Sequence, residues 1–308
     1  MPIRSVTSAI VLIGFLGVSA LLPAQTTAPK AAAEESADHK WNNVPPEKPA
    51  YAQKKRAAPA PRRDLSGIWD ALAEGGIQAK GAHEHPALIL NHPQDEIGGQ
   101  ADENNTLHPL PYTDAGLAAL RTHKPSVGVR AVGPGLSNDP VNGCDPPGFP
   151  RIELYDFREM EISQTKDQVL MLYELDGNYR IVWTDGRQFP SDPEPRWFGY
   201  STGKWLDDYT FQVDTVGIDG RSWVDHAGRP HSADLKVEEQ YHRVDYDTIE
   251  LTMTITDPKY YSQPWKALDK FVLHRLPRDY DWIEYICSPS DNVNYNDQLG
   301  NSVSKSKK

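Results

Sequence analysis

Cysteine is almost missing from this chain: only Cys144 and Cys287 occur among 308 residues. Neither has a second Cys or a His at ligand spacing, which argues against a cysteine-built zinc centre. In an oxidising compartment two thiols can pair. The sequence therefore allows one disulfide from mid-chain to the end, or two separate thiols. Positive charge is scarce as well. The formal net charge is −11, and from Asp64 onward 23 Lys/Arg stand against 39 Asp/Glu, a net −16. So acidic a body repels phosphate backbones, and no nucleic acid is expected as partner. Long apolar runs are lacking beyond the first two dozen residues, so no membrane span is expected after signal removal. There is no P-loop, no G-x-G-x-x-G after a strand, no G-x-S-x-G and no H-E-x-x-H, and no cofactor is expected.

What is present divides the chain into four stretches. Arg4 precedes an apolar run over residues 9–22, too short to span a bilayer comfortably, with Leu22-Pro23-Ala24 behind it. Residues 1–24 therefore read as a removable signal peptide, and a periplasmic or secreted protein is expected. The alternative is an uncleaved anchor. Residues 25–63 are rich in Ala, Pro, Lys and Glu and lack branched apolar residues, which predicts a disordered linker. Residues 64–287 read as one domain. Residues 288–308, rich in Asn, Asp, Ser and Lys, read as a flexible tail.

Within the domain the periodicity is that of strands. Asp64 to Trp69 opens the order. The next eighty residues are rich in Pro and Gly, with a single helix predicted over residues 114–121, capped by Thr113. They form a long irregular insertion. From Arg151 onward the pattern is β. Strands are predicted over 159–164, 168–175, 179–184, 198–205, 209–216, 235–244, 249–256 and 270–276, separated by tight turns. Asp176-Gly177 between two apolar runs signals a hairpin. Ile249, Leu251, Met253 and Ile255 alternate with Glu250, Thr252, Thr254 and Thr256, which gives one buried and one wet face. The fold class expected is mainly β, an antiparallel up-and-down barrel or a sandwich. Consecutive hairpins favour the barrel, since closure removes edges.

Two resemblances follow. Leu65-Ser66-Gly67-Ile68-Trp69, Cys144-Asp145-Pro146-Pro147-Gly148, Trp183-Thr184-Asp185-Gly186-Arg187, residues 199–205 and 225–232, Asp257-Pro258 and Pro264-Trp265 together resemble an exported bacterial family without an assigned activity. That likeness implies export and a single unit. Gly67-Ile68-Trp69 is also similar to the G-x-W of lipocalin-like barrels, which implies that Arg275 packs over Trp69. The long insertion after the first strand has no counterpart in those barrels.

Candidate functional residues cluster in Asp225-His226-Ala227-Gly228-Arg229-Pro230-His231-Ser232. An Asp can orient a His and raise its basicity, which would make His231, or less favourably His226, a general base. The same residues also suit a polar turn in which Asp225 caps backbone amides. Glu239 shares a strand face with Leu235, Val237, Tyr241 and Arg243. Facing inward it would be a carboxyl with raised pKa; alternatively it is a structural ion pair with Arg243 or Arg180. Arg187 could take an anion, or close a turn with Asp185. Trp183, Trp197, Trp223 and Tyr241 are candidate walls of a ligand pocket, or closures of the barrel ends. His83-Glu84-His85, with His92 and His108, could bind a metal, but nothing brings them together and no metal is expected.

Two functions follow. One is an exported barrel that binds a small molecule in an aromatic-lined cavity. The other is an exported hydrolase or isomerase using Asp225, His231 and Glu239 for acid–base chemistry. A third possibility is an envelope structural protein tethered by its linker.

Overall fold

A computed structural model describes residues 58–70, 99–101, 107–126, 130–154, 159–281 and 284–295. Every described residue lies within the unit Pro45–Lys308. The expected signal peptide and most of the expected linker fall outside the described residues.

The strands in chain order are β1 (Gly67–Asp70), β2 (Gly99–Ala101), β3 (Leu107–Pro109), β4 (Met160–Gln164), β5 (Gln168–Tyr173), β6 (Tyr179–Trp183), β7 (Tyr200–Trp205), β8 (Thr210–Val216), β9 (Lys236–Arg243), β10 (Thr248–Thr256) and β11 (Trp265–Arg275). Among the described residues three α-helices accompany them: α1 (Asp114–Thr122), α2 (Arg151–Leu154) and α3 (Pro289–Tyr295). Nine strands close into one barrel in the order β1-β11-β10-β9-β8-β7-β6-β5-β4, while β2 and β3 form a separate ribbon. Neighbours around the ring are antiparallel except β6 and β7, which run parallel. An odd number of strands in a closed ring cannot alternate direction throughout, so at least one parallel pair is required. The long connection between Trp183 and Tyr200 supplies it by returning along the barrel, which a two-residue turn cannot do.

This topology gives the barrel two different ends. The turn end carries the short connections 165–167, 206–209 and 244–247. The loop end carries the β5–β6 turn, the connections 217–235 and 257–264, and α2.

Alternation selects the inside. Ile249, Leu251, Met253 and Ile255 of β10 are fully buried, as are Phe211 and Val213 of β8 and Met171 of β5. Each such side chain contributes roughly 1.5–3 kcal/mol by leaving water. The outward positions carry Gln212, Asp214, Glu238, Gln240, Glu250, Thr252 and Thr254, which are partly exposed. That is the pattern of a barrel whose outside meets water; a lipid-facing barrel reverses it. Among the described residues no helix is long and apolar enough to cross a membrane. The predicted hairpin at Asp176-Gly177 forms with both residues at φ 56°, the two left-handed positions of a type I′ turn.

Cys144 and Cys287 are joined by a disulfide, 143 residues apart in sequence. Closing so long a loop contributes on the order of 5 kcal/mol, chiefly by restricting the unfolded chain. The end of the chain is further held where Cys287 N donates to Asp176 Oδ1 at 2.7 Å and Tyr285 bridges Leu175.

Three details differ from the sequence reading. Residues 58–63, assigned to the linker on composition, are fastened to the turn end: Arg63 N donates to Asp208 O at 2.7 Å and Tyr246 N to Ala58 O at 2.9 Å. Backbone bonds of this kind leave no trace in composition. The tail begins with α3 instead of fraying. Residues Arg151–Leu154, read as the start of the β pattern, are helical and entirely buried. A four-residue turn behind Pro150 is too short to show a 3.6-residue period.

Candidate functional site

A polar constellation lies inside the barrel, toward its loop end. Arg180 of β6 is the cross-strand partner of Met171 on β5. Glu239 and Tyr241 project inward from β9, and Tyr173 from β5. Glu153 reaches in from α2, which plugs this end with Ile152 and Leu154. Arg180 Nη2 donates to both Glu239 oxygens at 2.8 Å, and its Nη1 stands 3.5 Å from Glu153 Oε1. Tyr241 Oη lies 2.6 Å from Glu239 Oε1 and 3.1 Å from Glu153 Oε2, so the phenol links the two carboxyls. Tyr173 Oη donates to Glu153. The Phe149 ring faces the guanidinium at 4.1 Å. Among the described residues, Arg180 Nε and Nη1 have no hydrogen-bond acceptor.

Charge decides how this cluster behaves. One guanidinium stands against two fully buried carboxyl groups. Burial, reinforced by repulsion from Glu153, outweighs the pull of Arg180 and pushes the Glu239 carboxyl up to about 8. Glu239 is therefore largely protonated at neutral pH. Burial also drives Tyr173 and Tyr241 well above the usual phenol range, so both remain hydroxyl donors.

The connection 217–235 forms a second buried cluster at the loop end. Asp225 accepts from Arg229 and, at 3.0 Å, from the amide of Ala227. Its expected part in orienting a histidine is replaced by this ion pair, because Arg229, four residues on, turns back into the loop. His226 Nε2 lies 3.4 Å from Ser126 Oγ and 3.9 Å from Asp139 Oδ2. His231 instead meets Ser222: Nε2 is 2.8 Å from Ser222 Oγ, and Nδ1 is 3.0 Å from the Ser232 carbonyl. Asp257 takes Ser232 N at 2.6 Å and Ser232 Oγ at 2.8 Å. Trp223 is buried and stacks on His123 at 4.7 Å.

The two clusters are neighbours through one short segment. Phe149 covers Arg180 below, while Gly148 packs on Ser222 so closely that a Cβ there would come within 2.7 Å of the serine Cβ. Trp197 joins them, its carbonyl accepting from Phe149 N at 2.9 Å. Arg187 and Trp183 belong elsewhere. Arg187 stacks on Trp183 at 3.4 Å and forks onto Asp185, an exposed arrangement at the turn end. The sequence candidates thus split: Glu239 and Tyr241 inside, Asp225, His231, Trp197 and Trp223 at the loop end, Trp183 and Arg187 at the opposite end. Asp225, His231 and Glu239 each have separate polar partners and make no single acid–base triad. Ser222 and Glu153 went unmarked by sequence. Only a structure reveals them, since Ser222 stands nine residues before its histidine and Glu153 sits in the unrecognised α2. His83, Glu84, His85 and His92 lie outside the described residues, and of the His108 side chain nothing is described. Among the described residues no group of His, Cys, Asp and Glu has metal-binding geometry. No family model, curated protein or solved structure matches the chain.

Proposed function

We propose that this chain is an exported small-molecule-binding barrel, with Arg180 as the anchor of its ligand. The observation that carries the reading is a guanidinium 2% exposed inside a closed barrel, with Nε lacking an acceptor while Nη1 and Nη2 face carboxyls. An unsatisfied buried donor costs roughly 1–3 kcal/mol, so such a group is either a burden or an attachment point. The surrounding charges favour a particular ligand. One guanidinium beside two carboxyls, with the Glu239 carboxyl pushed toward its protonated form, leaves the cluster close to uncharged, so neither an anion nor a cation is drawn in. An uncharged molecule bearing a carbonyl or hydroxyl oxygen would accept from Arg180 Nε, with Phe149 and Met171 against its apolar part. Export is supported by Arg4 with its apolar run and by the disulfide, which suits an oxidising compartment.

Kinship with lipocalin-like barrels belongs to the same proposal. Its support is Arg275, 5.8 Å over Trp69, and Gly67, where a Cβ would come within 3.2 Å of that guanidinium. Arg243 lies closer to Trp69, at 4.5 Å, and the parallel β6–β7 pair departs from a simple up-and-down meander.

A thermal-shift panel tests the ligand class. Uncharged carbonyl and hydroxyl compounds should raise Tm by roughly 5–10 °C at a hundredfold excess over Kd. Matched carboxylates and amines should not. Arg180→Lys keeps the charge but removes the Nε donor, and should abolish the shift. A panel in which all three classes act alike, or none acts, rejects the reading.

A further inference from the structure

The Ser222–His231 contact rests on a different observation from the barrel interior. His231 Nδ1 faces the Ser232 carbonyl, which can only accept. The neutral ring must therefore carry its hydrogen on Nδ1, leaving the Nε2 lone pair toward Ser222 Oγ at 2.8 Å. The serine hydroxyl has one hydrogen and two acceptors within reach, His231 Nε2 and the Asp219 carbonyl at 2.9 Å. Burial lowers the basicity of His231 below the usual histidine range, so the ring is neutral at pH 7. Asp257 grips Ser232 by both its amide and its hydroxyl, and thereby fixes the carbonyl that sets the tautomer. Hydroxyl, base and orienter thus stand in line, as activation of a serine requires. Ser222 itself is 2% exposed. The Asp219–Arg221 turn beside it lies at the surface: a Cβ on Gly220 would meet nothing within 4 Å, and Arg221 is exposed.

We propose that Ser222 is a nucleophile and His231 its general base, serving acyl transfer from small esters that enter over the Asp219–Arg221 turn. Ser222 Oγ bonds to the ester carbonyl carbon as its proton passes to His231 Nε2. The C–O bond to the leaving alcohol then breaks, and the alcohol oxygen takes the proton from Nε2. Water next attacks the acyl-serine and gives a proton to Nε2. The serine ester bond breaks, the acid leaves, and Ser222 Oγ recovers its proton. An ester suits this pair better than an amide. The ring is backed by a neutral carbonyl instead of a carboxylate, so the imidazolium is less stabilised and a poor leaving group would stall. Asp257 is a positioning residue in this scheme.

The test uses the whole chain with a fluorophosphonate probe, read by intact mass and peptide mapping. One adduct is expected, on Ser222, and none in Ser222→Ala. His231→Asn should slow labelling by roughly 100-fold or more. The labelling rate should rise with pH and level off below the ordinary histidine range, as the ring loses its proton. The titratable groups around that ring are Asp257, Asp219 and His123, and Asp257→Asn should shift this midpoint downward. No adduct on Ser222, an adduct on another serine, or a rate that climbs through pH 9 without a plateau overturns the proposal. The wild-type adduct map and pH profile decide the matter even where a variant fails to fold. None of these outcomes bears on ligand binding at Arg180.

Discussion

Inside the barrel one guanidinium serves two carboxyl groups, and the proton between them should be visible in stability. The folded Glu239 carboxyl titrates near 8, while its reference value is 4.5. Between those values the folded state holds a proton that the unfolded chain has released. Stability should therefore fall as pH rises from about 5 to 8, by up to a few kcal/mol. In Glu239→Gln this part of the slope should vanish, so the variant should lie within about 1 kcal/mol of the parent near pH 4.5 and about 2 kcal/mol above it at pH 6. Urea unfolding at three pH values measures both; an equal slope in parent and variant contradicts the assignment. Glu239→Ala is a different change, because it removes the acceptor of Arg180 Nη2 and the partner of Tyr241 and leaves a cavity, and should cost about 3–5 kcal/mol. Part of this site was legible beforehand. Alternation placed Glu239 on the Leu235–Val237–Tyr241 face, and Arg180 was one of two named partners. What was not legible was Glu153, because a single buried helical turn has no pattern of its own. Nor was the pairing of Asp225 with Arg229, since both residues suit a polar turn equally well.

Among the elements, strands declared themselves by a two-residue period and by turn chemistry, so β10 and the β5–β6 hairpin could be placed almost to the residue. The parallel β6–β7 pair could not, because nothing local in residues 184–199 states which way the chain returns. The helix α1 was legible through its cap: Thr113 accepts from Gly116 N as expected. Its docking was not, and it depends on Gly116, where a Cβ would come within 2.1 Å of the Tyr260 carbonyl. A backbone oxygen cannot swing aside as a side chain does. Gly116→Ala should accordingly destabilise by about 1–3 kcal/mol despite the better helix propensity of alanine, as read from a denaturant midpoint. A midpoint at or above the parent's would show that α1 is free to shift. The disulfide acts across elements. Replacing both cysteines with serine should lower Tm by roughly 10 °C or more, in line with the 143-residue separation. An unchanged Tm would mean that the ends are already held by the Leu175–Tyr285 bridge.

At the scale of the whole molecule, a water-facing barrel with a polar centre is proposed to be exported. Export predicts that the mature protein begins near Gln25 and fractionates outside the cytoplasm; intact mass with Met1 or Pro2 retained in that fraction would contradict it. The central claim is that the barrel holds a small uncharged molecule through Arg180. Native mass spectrometry of the chain isolated from its producing cells tests this most directly. The account predicts one added mass, from a single neutral molecule, on the parent protein and not on Arg180→Lys. A parent protein that carries only its own mass, or an added mass retained equally by Arg180→Lys, would contradict it.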